Sequence, residues 1–415
     1  MAHPPSQRFS TPVIAAMLRG CIELETTAYG VQPHRLPARA RAQWADPQLS
    51  MAEAQPSGVR ICFRTEATVV ELEALPTKRV YAGLPPRPHG TYDLVIDGQL
   101  ARQGTIPTGS IMRIDPAKWS TDASPQADVE QGRPGLLRFA DLPEGRKEIE
   151  IWLPHDEAAQ LVGLHANAPL EASGTGGRRV WLHYGSSISH GSNASHPTGT
   201  WPAVAARLAG VDLLNLGFGG SALLDPFVAR TIRDRQADFI SLKLGINVVN
   251  TDLMRLRGFG PAVHGFLDTI REGHETTPLI VVSPVLCPIH EHTPGPTAAD
   301  FADGKLIFRA AGRADDTASG KLTLEMIRAT LEKIVAQRRI SDPYIHYLDG
   351  RALYGAEDHA RLPLPDRLHP DGEAHVLMGE RFADAAFGRD GAFAGDDTAA
   401  AVPGAKTLDS RSTRR

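Results

Sequence analysis

The chain has 415 residues, with 44 Lys and Arg against 48 Asp and Glu and a formal net charge of -4. It is too long for one typical domain and long enough for two, each able to bury its own core. The charge balance leaves no basic face for nucleic acid and no polybasic membrane signal, and Cys21, Cys62 and Cys287 are too widely spaced for a disulfide framework or a clustered zinc motif.

The N-terminal stretch Met1 to Arg8 leads into residues that include Arg19, Glu23 and Glu25, so it lacks the unbroken apolar core of a signal peptide. No apolar run approaches membrane-spanning length, and a cytoplasmic protein without a membrane partner is expected. Residues 11–172 read as an all-β domain of the sandwich or jelly-roll kind. Alternation in Val59-Ile61-Phe63, Tyr92-Leu94-Ile96 and Ile149-Ile151-Leu153 predicts half-buried strands. Asp97-Gly98 is a hairpin signal, and Leu142-Pro143-Glu144-Gly145 separates two further strands. Leu84 to Pro88 and Asp115 to Gln131 read as surface loops. Trp44 and Trp152 have the chemistry of sugar-stacking platforms, although packing is the commoner use of such residues.

Glu171 to Gly177, rich in Gly, Ser and Thr, reads as a linker. Over 178–390, apolar strand cores at Val180–Tyr184, Leu213–Leu216, Phe239–Leu244, Leu279–Val282 and Tyr344–Leu348 alternate with amphipathic segments. That pattern predicts a parallel sheet covered by helices on both faces. Thr200 before Trp201-Pro202 and Asp225 before Pro226 mark helix starts, and the longest helix is expected over about Leu322 to Arg338. A last helix after Gly372 would bear Leu377, Phe382 and Ala385, and 391–415 reads as a disordered tail.

Four loops at strand ends carry chemistry. Val180 to Tyr184 runs into Gly185-Ser186-Ser187-Ile188-Ser189, which presents a hydroxyl at the carboxyl edge of the sheet and makes Ser187 the candidate nucleophile. Asp366 and His369, three residues apart, can act as orienter and general base. Between them, Asn215 to Gly220 and Leu244 to Asn247 follow strands; amides near Gly220, the Asn247 carboxamide and the Ser187 amide can converge on an oxyanion.

These blocks, in this order, resemble the SGNH (GDSL-like) hydrolase superfamily of serine esterases and lipases. Carried over by position, the resemblance implies a three-layer α/β/α, flavodoxin-like domain. It also implies a catalytic triad of Ser187, Asp366 and His369 and an oxyanion hole of Ser187, Gly220 and Asn247, with no cofactor and no metal. A β domain ahead of such a domain is similar to the layout of some carbohydrate esterases. One departure is Ser186, where the name-giving pattern has Asp. Ser189 in place of a second glycine argues against an α/β-hydrolase elbow.

Each residue alone has a plainer use: a turn serine, a loop-capping Asn, a positive-φ glycine, a capping Asp. Jointly they favour catalysis. His183 and His190 flank the nucleophile without a carboxylate close in sequence, and His290-Glu291-His292 lacks the helical spacing of a zinc motif. The expected activity is acyl-enzyme hydrolysis of small esters, such as short-chain acyl groups on a sugar or natural product. Thioester or lysophospholipid hydrolysis, and ligand binding without catalysis, are the alternatives. The long segment Pro284 to Gly320 reads as a loop able to lean over the site.

Overall fold

The computed structural model describes residues 9–44, 46–83, 86–114, 128–174, 176–302 and 305–394. The calls made on Met1 to Arg8, on Leu84 and Pro85, on most of the Asp115 loop and on the tail from 395 lie outside the described residues.

The second half is built on a five-stranded parallel sheet in the order Asp212–Gly217, Val180–Gly185, Phe239–Lys243, Leu279–Val282, Ile345–Leu348. Read by chain position this is 2-1-3-4-5, the flavodoxin-like doubly wound order, whose topological switch lies beside the first strand. The strands are apolar because both faces are covered: the Phe239–Lys243 strand is buried at every residue. Trp181 stacks on Phe382 with centroids 5.0 Å apart, and Trp201 meets Phe382 edge-on, which clamps helices Trp201–Ala209 and Gly372–Phe387 to the sheet. Gly379 permits this approach, since a Cβ there would lie 2.6 Å from Val204 Cβ. That last helix buries His375, Met378, Phe382 and Ala386, with Leu377 half-buried and Ala385 exposed.

The helix expected as longest covers Leu324–Arg338, with Thr323 accepting from the Met326 amide as cap. At 15 residues it is one shorter than Leu256–Arg271 and Gly372–Phe387. Residues 391–394, which composition assigns to the tail, pack on the fold. Phe393 is buried and stacks on Phe239 with centroids 4.9 Å apart, and apolar burial of this kind outweighs the small polar neighbours.

The first half forms two mainly antiparallel sheets of eight and six strands around a separate apolar core. The strands expected around Ile61, Leu94 and Ile151 are Arg60–Thr65, Thr91–Ile96 and Lys147–Trp152, paired with one another in the six-stranded sheet. Asp97 and Gly98 have φ of 48° and 81° and close the hairpin to Gln99–Thr105. Trp152 packs in the core with Arg60 over its ring at 4.7 Å, whereas Trp44 is exposed. The 12-residue strand Val70–Tyr81 is the spine of the larger sheet, and its far end reaches the cleft lined by Ser187 and His369.

Two short helices that the all-β reading did not include, Ala38–Arg41 and Pro47–Ala54, leave the sheets. Their Ala40, Leu49 and Ala52, with Leu36, join the apolar core of the second half. Arg35, fully buried, donates to the carbonyls of Asn215 at 3.0 Å and Gly217 at 2.6 Å and to Ala52. Ser57 Oγ donates to the His190 carbonyl at 2.6 Å, and Asp93 accepts from His196 Nδ1, Thr198 N and Thr198 Oγ1. The β region is therefore bonded to both loops at the switch point.

Candidate active site

Ser187 opens the four-residue helix Ser187–His190 directly after the first parallel strand, and Gly191 ends it with φ 116°. The Ser187 hydroxyl donates to His369 Nε2 at 2.9 Å, and His369 Nδ1 donates to Asp366 Oδ2 at 2.8 Å. Asp366 and His369 belong to one tight loop in which Arg367 has φ 68°. Asp366 Oδ1 accepts from the amides of Leu368 at 2.9 Å and His369 at 2.7 Å, and Asn193 Nδ2 donates to Oδ2 at 3.1 Å. Burial works to raise the Asp366 pKa. The hydrogen bond and charge of His369, together with the two amides, win and hold it below the usual carboxylate range. The relay thus has an ionised orienter, a histidine held in one tautomer and a hydroxyl within proton-transfer distance, as a Ser-His-Asp triad requires.

The flanking histidines are committed elsewhere. His190 Nε2 donates to the His155 carbonyl at 2.6 Å, leaving Nδ1 to accept from the Gly219 amide at 3.3 Å. Burial, then the charge of Arg35, holds it well below the ordinary histidine pKa. His183 lies between Ser241 Oγ and Ser189 Oγ, each at 2.7 Å, and burial with the neighbouring Lys243 pushes its pKa down to about 3.

Gly220 has φ 76°, and a Cβ there would lie 3.1 Å from the Gln48 side chain, two separate reasons for glycine. Asn247, in the helix Ile246–Asn250 after Gly245, accepts at Oδ1 from the Ala222 amide at 3.0 Å, which turns its NH2 the other way. Ser187, Gly220, Asn247 and His369 all line one cleft of about 930 Å³. Gln48, Gln55, Arg79, Tyr81, Arg87 and His155 of the first half form its other wall.

The Pro284 to Gly320 segment does lean over the site, but as more than a loop: Thr297–Ala302 and Lys305–Ala310 pair as a hairpin. Phe308 sets its ring edge-on to His369, with centroids 5.7 Å apart, and its amide donates to the Asp366 carbonyl. His290, Glu291 and His292 are used in structure: His290 bonds Thr293 and Thr297, Glu291 pairs with Arg328 at 2.7 Å, and His292 meets Glu325. Sequence patterns did not single out Gln48, Asn193, Arg79 or Phe308, none of which belongs to a strand-end block.

Residues 178–287 match the GDSL-like Lipase/Acylhydrolase family, a span that holds Ser187, Gly220 and Asn247. Over these residues the chain carries a GDSL-like acylhydrolase domain. Among solved structures, the salicylyl-acyltransferase SsfX3 from a tetracycline biosynthetic pathway is 29% identical, with a TM-score of 0.72 over 91% of this chain and 96% of its own. A protein assigned as a GDSL-like lipase, from Bacteroides ovatus, is 18% identical with a TM-score of 0.64 over 91% and 96%. A family two carbohydrate esterase from Clostridium thermocellum, solved with cellohexaose, is 13% identical with a TM-score of 0.52 over 79% and 91%. The last two show the fold, including a β region ahead of the acylhydrolase domain. No curated protein matches the chain significantly. Among the described residues no helix is long and apolar enough to cross a membrane.

Proposed function

We propose that the protein hydrolyses small carboxylic esters through an acyl-enzyme formed on Ser187. His369 takes the hydroxyl proton as Ser187 attacks the carbonyl and returns it to the departing alcohol. Asp366 orients His369 and balances the charge that His369 gains. The amides of Ser187 and Gly220 and the Asn247 Nδ2 receive the oxyanion. Water, deprotonated by His369, then attacks the acyl-enzyme and releases the acid. The observation that carries this reading is the continuous relay from Ser187 to His369 at 2.9 Å and on to Asp366 at 2.8 Å, at the edge of an open cleft.

Short acyl esters of a sugar or other small natural product suit a cleft that is open, mixed in polarity and lined from both halves of the chain. A fluorophosphonate probe followed by peptide mass spectrometry tests the nucleophile. Modification should fall on Ser187 and vanish in Ser187→Ala and His369→Ala; no modification of folded protein would sink the assignment.

A second reading is favoured by the similarity to a salicylyl-acyltransferase over nearly the whole chain. An alcohol bound in the cleft can replace water in the second step, because attack by either hydroxyl needs the same base and the same oxyanion donors. Adding candidate acceptor alcohols to a hydrolysis assay and quantifying transferred against hydrolysed acyl groups decides between them.

A further inference from the structure

Arg79 stands near the end of the Val70–Tyr81 strand and lines the cleft opposite the acylhydrolase residues. Its polar contacts are few: Nη1 lies 3.7 Å from Met51 Sδ, Nη2 donates to the Asp156 carbonyl at 3.4 Å, and the Tyr81 hydroxyl and the Asp156 charge act on it. Its Nε is buried without a hydrogen-bond partner, and no ion pair to it is found among the described residues. Arg79 is half-buried, and an unpartnered Nε is shared by the buried Arg35 and Arg60; the difference lies in the Nη groups. Arg60 is paired with Asp212, Arg328 with Glu291 at 2.7 Å, and Arg35 is spent on backbone carbonyls. A guanidinium withdrawn from water is costly without an anion beside it.

Its surroundings are cationic on balance. Arg87 lies over the Tyr81 ring at 6.0 Å, and Lys78 Nζ donates to His89 Nδ1 at 2.7 Å; Arg87 and His89 both line the cleft. The acids facing them are Asp156, which lines the same wall, and Glu157, whose pKa burial and then Asp156 push up to about 7. Asp156 acts on Arg79 through its charge without forming an ion pair with it, so the planar fork of the guanidinium remains open to an oxyanion.

We propose that this wall is an oxyanion-recognition subsite centred on Arg79, so that the preferred ester carries a carboxylate, or a phosphate offering the same oxygens, apart from the reacting group. This rests on the acyl-hydrolase reading only in taking the cleft as the substrate site.

The test compares kcat/KM for 3-acetoxybenzoate, its neutral methyl ester and 3-acetoxyphenyl phosphate, in the wild type, Arg79→Met, Arg79→Lys and Arg87→Met. The wild type should favour an anionic ester by roughly ten- to hundredfold. The ratio should collapse toward one in Arg79→Met, be intermediate in Arg79→Lys, which keeps charge without the fork, and shrink modestly in Arg87→Met. Preference for the phosphate over the benzoate, lost with Arg79, supports the subsite and identifies the oxyanion. A wild-type ratio near one, or a ratio unchanged in Arg79→Met protein with a normal melting temperature, overturns it. To separate this from a failure of the hydrolase reading, equilibrium binding of 3-acetoxybenzoate and its methyl ester is also measured on Ser187→Ala and on Ser187→Ala with Arg79→Met. Anion-selective binding lost with Arg79 upholds the subsite even if no ester is turned over, and binding indifferent to charge overturns it.

Discussion

Gln48 donates its side-chain amide to the Gly219 carbonyl at 2.7 Å, across the seam between the β region and the acylhydrolase domain. In a planar trans peptide the C=O and the next N–H point to opposite sides, so holding the Gly219 oxygen also fixes the direction of the Gly220 amide. Gln48→Ala removes a hydrogen bond of about 0.5–1.5 kcal/mol. If that energy is expressed only when the oxyanion forms, kcat falls roughly two- to tenfold with little change in KM. Steady-state kinetics on a neutral ester check this, and an unchanged kcat would remove Gln48 from the site's support.

That relationship shows where sequence reading stops. Ser187, Gly220, Asn247 and the Asp366 and His369 pair were legible because each sits in a strand-end loop whose local spacing carries its geometry. Asp366 and His369 meet three residues apart, and the Asp366 carboxylate is held by amides of its own loop. Gln48 and Arg79 reach the cleft only through the docking of two halves; Gln48 meets a partner 171 residues away. Asn193 looks like any exposed turn residue, with φ 65°, until Asp366 is placed beside it. The hairpin over the site escaped because Thr297–Ala302 is rich in alanine, with one β-branched residue. Phe393 was lost in a tail whose composition is otherwise that of unpacked chain.

Asn247 has two tasks that different substitutions separate. Asn247→Ala removes the side-chain donor, and kcat should fall by about 10²–10³. It also leaves the Ala222 amide without its acceptor, at a cost of about 1–3 kcal/mol in stability. Asn247→Asp keeps the acceptor while replacing the donor by negative charge. It should therefore lose at least as much activity, while its stability loss comes from the buried charge and eases as pH falls and the carboxyl takes up a proton. Asn247→Asp that turns over like the wild type would exclude the carboxamide from the oxyanion site.

Five buried histidines, His155, His183, His190, His290 and His375, are held below their ordinary pKa and bear on the acid limit of the fold. Burial, then Lys243, depresses His183 to about 3; burial depresses His375 to about 4; burial, then Arg35, holds His190 well below its ordinary value. In unfolded chain each binds a proton near pH 6.5. Depressed folded values mean that the stability they contribute is present above about 6.5 and is lost as pH falls toward 4 and 3. In that window each approaches a slope of about 1.4 kcal/mol per pH unit. Urea midpoints at pH 7, 6 and 5 should drop progressively, faster than the carboxylates alone allow at those pH values. A flat midpoint from pH 7 to 5 would show that these imidazoles are not buried as neutral groups.

Lys243 ends the central strand fully buried, and its Nζ has no hydrogen-bond partner among the described residues. Burial, with the charge of Arg328, pushes its pKa down to about 7. In unfolded chain the same amine titrates near 10.4. The depressed folded value works against the fold at neutral pH: the wild type should gain stability as pH rises from about 7 toward 10, because the unfolded amine is then losing its proton too. Lys243→Met fills similar volume without a charge or an unmet donor, and should stabilise the protein at pH 7 by about 1–3 kcal/mol. The advantage should shrink steadily by pH 10. Denaturant titrations of both proteins across that range decide the matter. A Met variant less stable than the wild type at pH 7 would mean that the amine has a partner in solution, and would direct attention to the buried space between Lys243, Cys287 and Arg328.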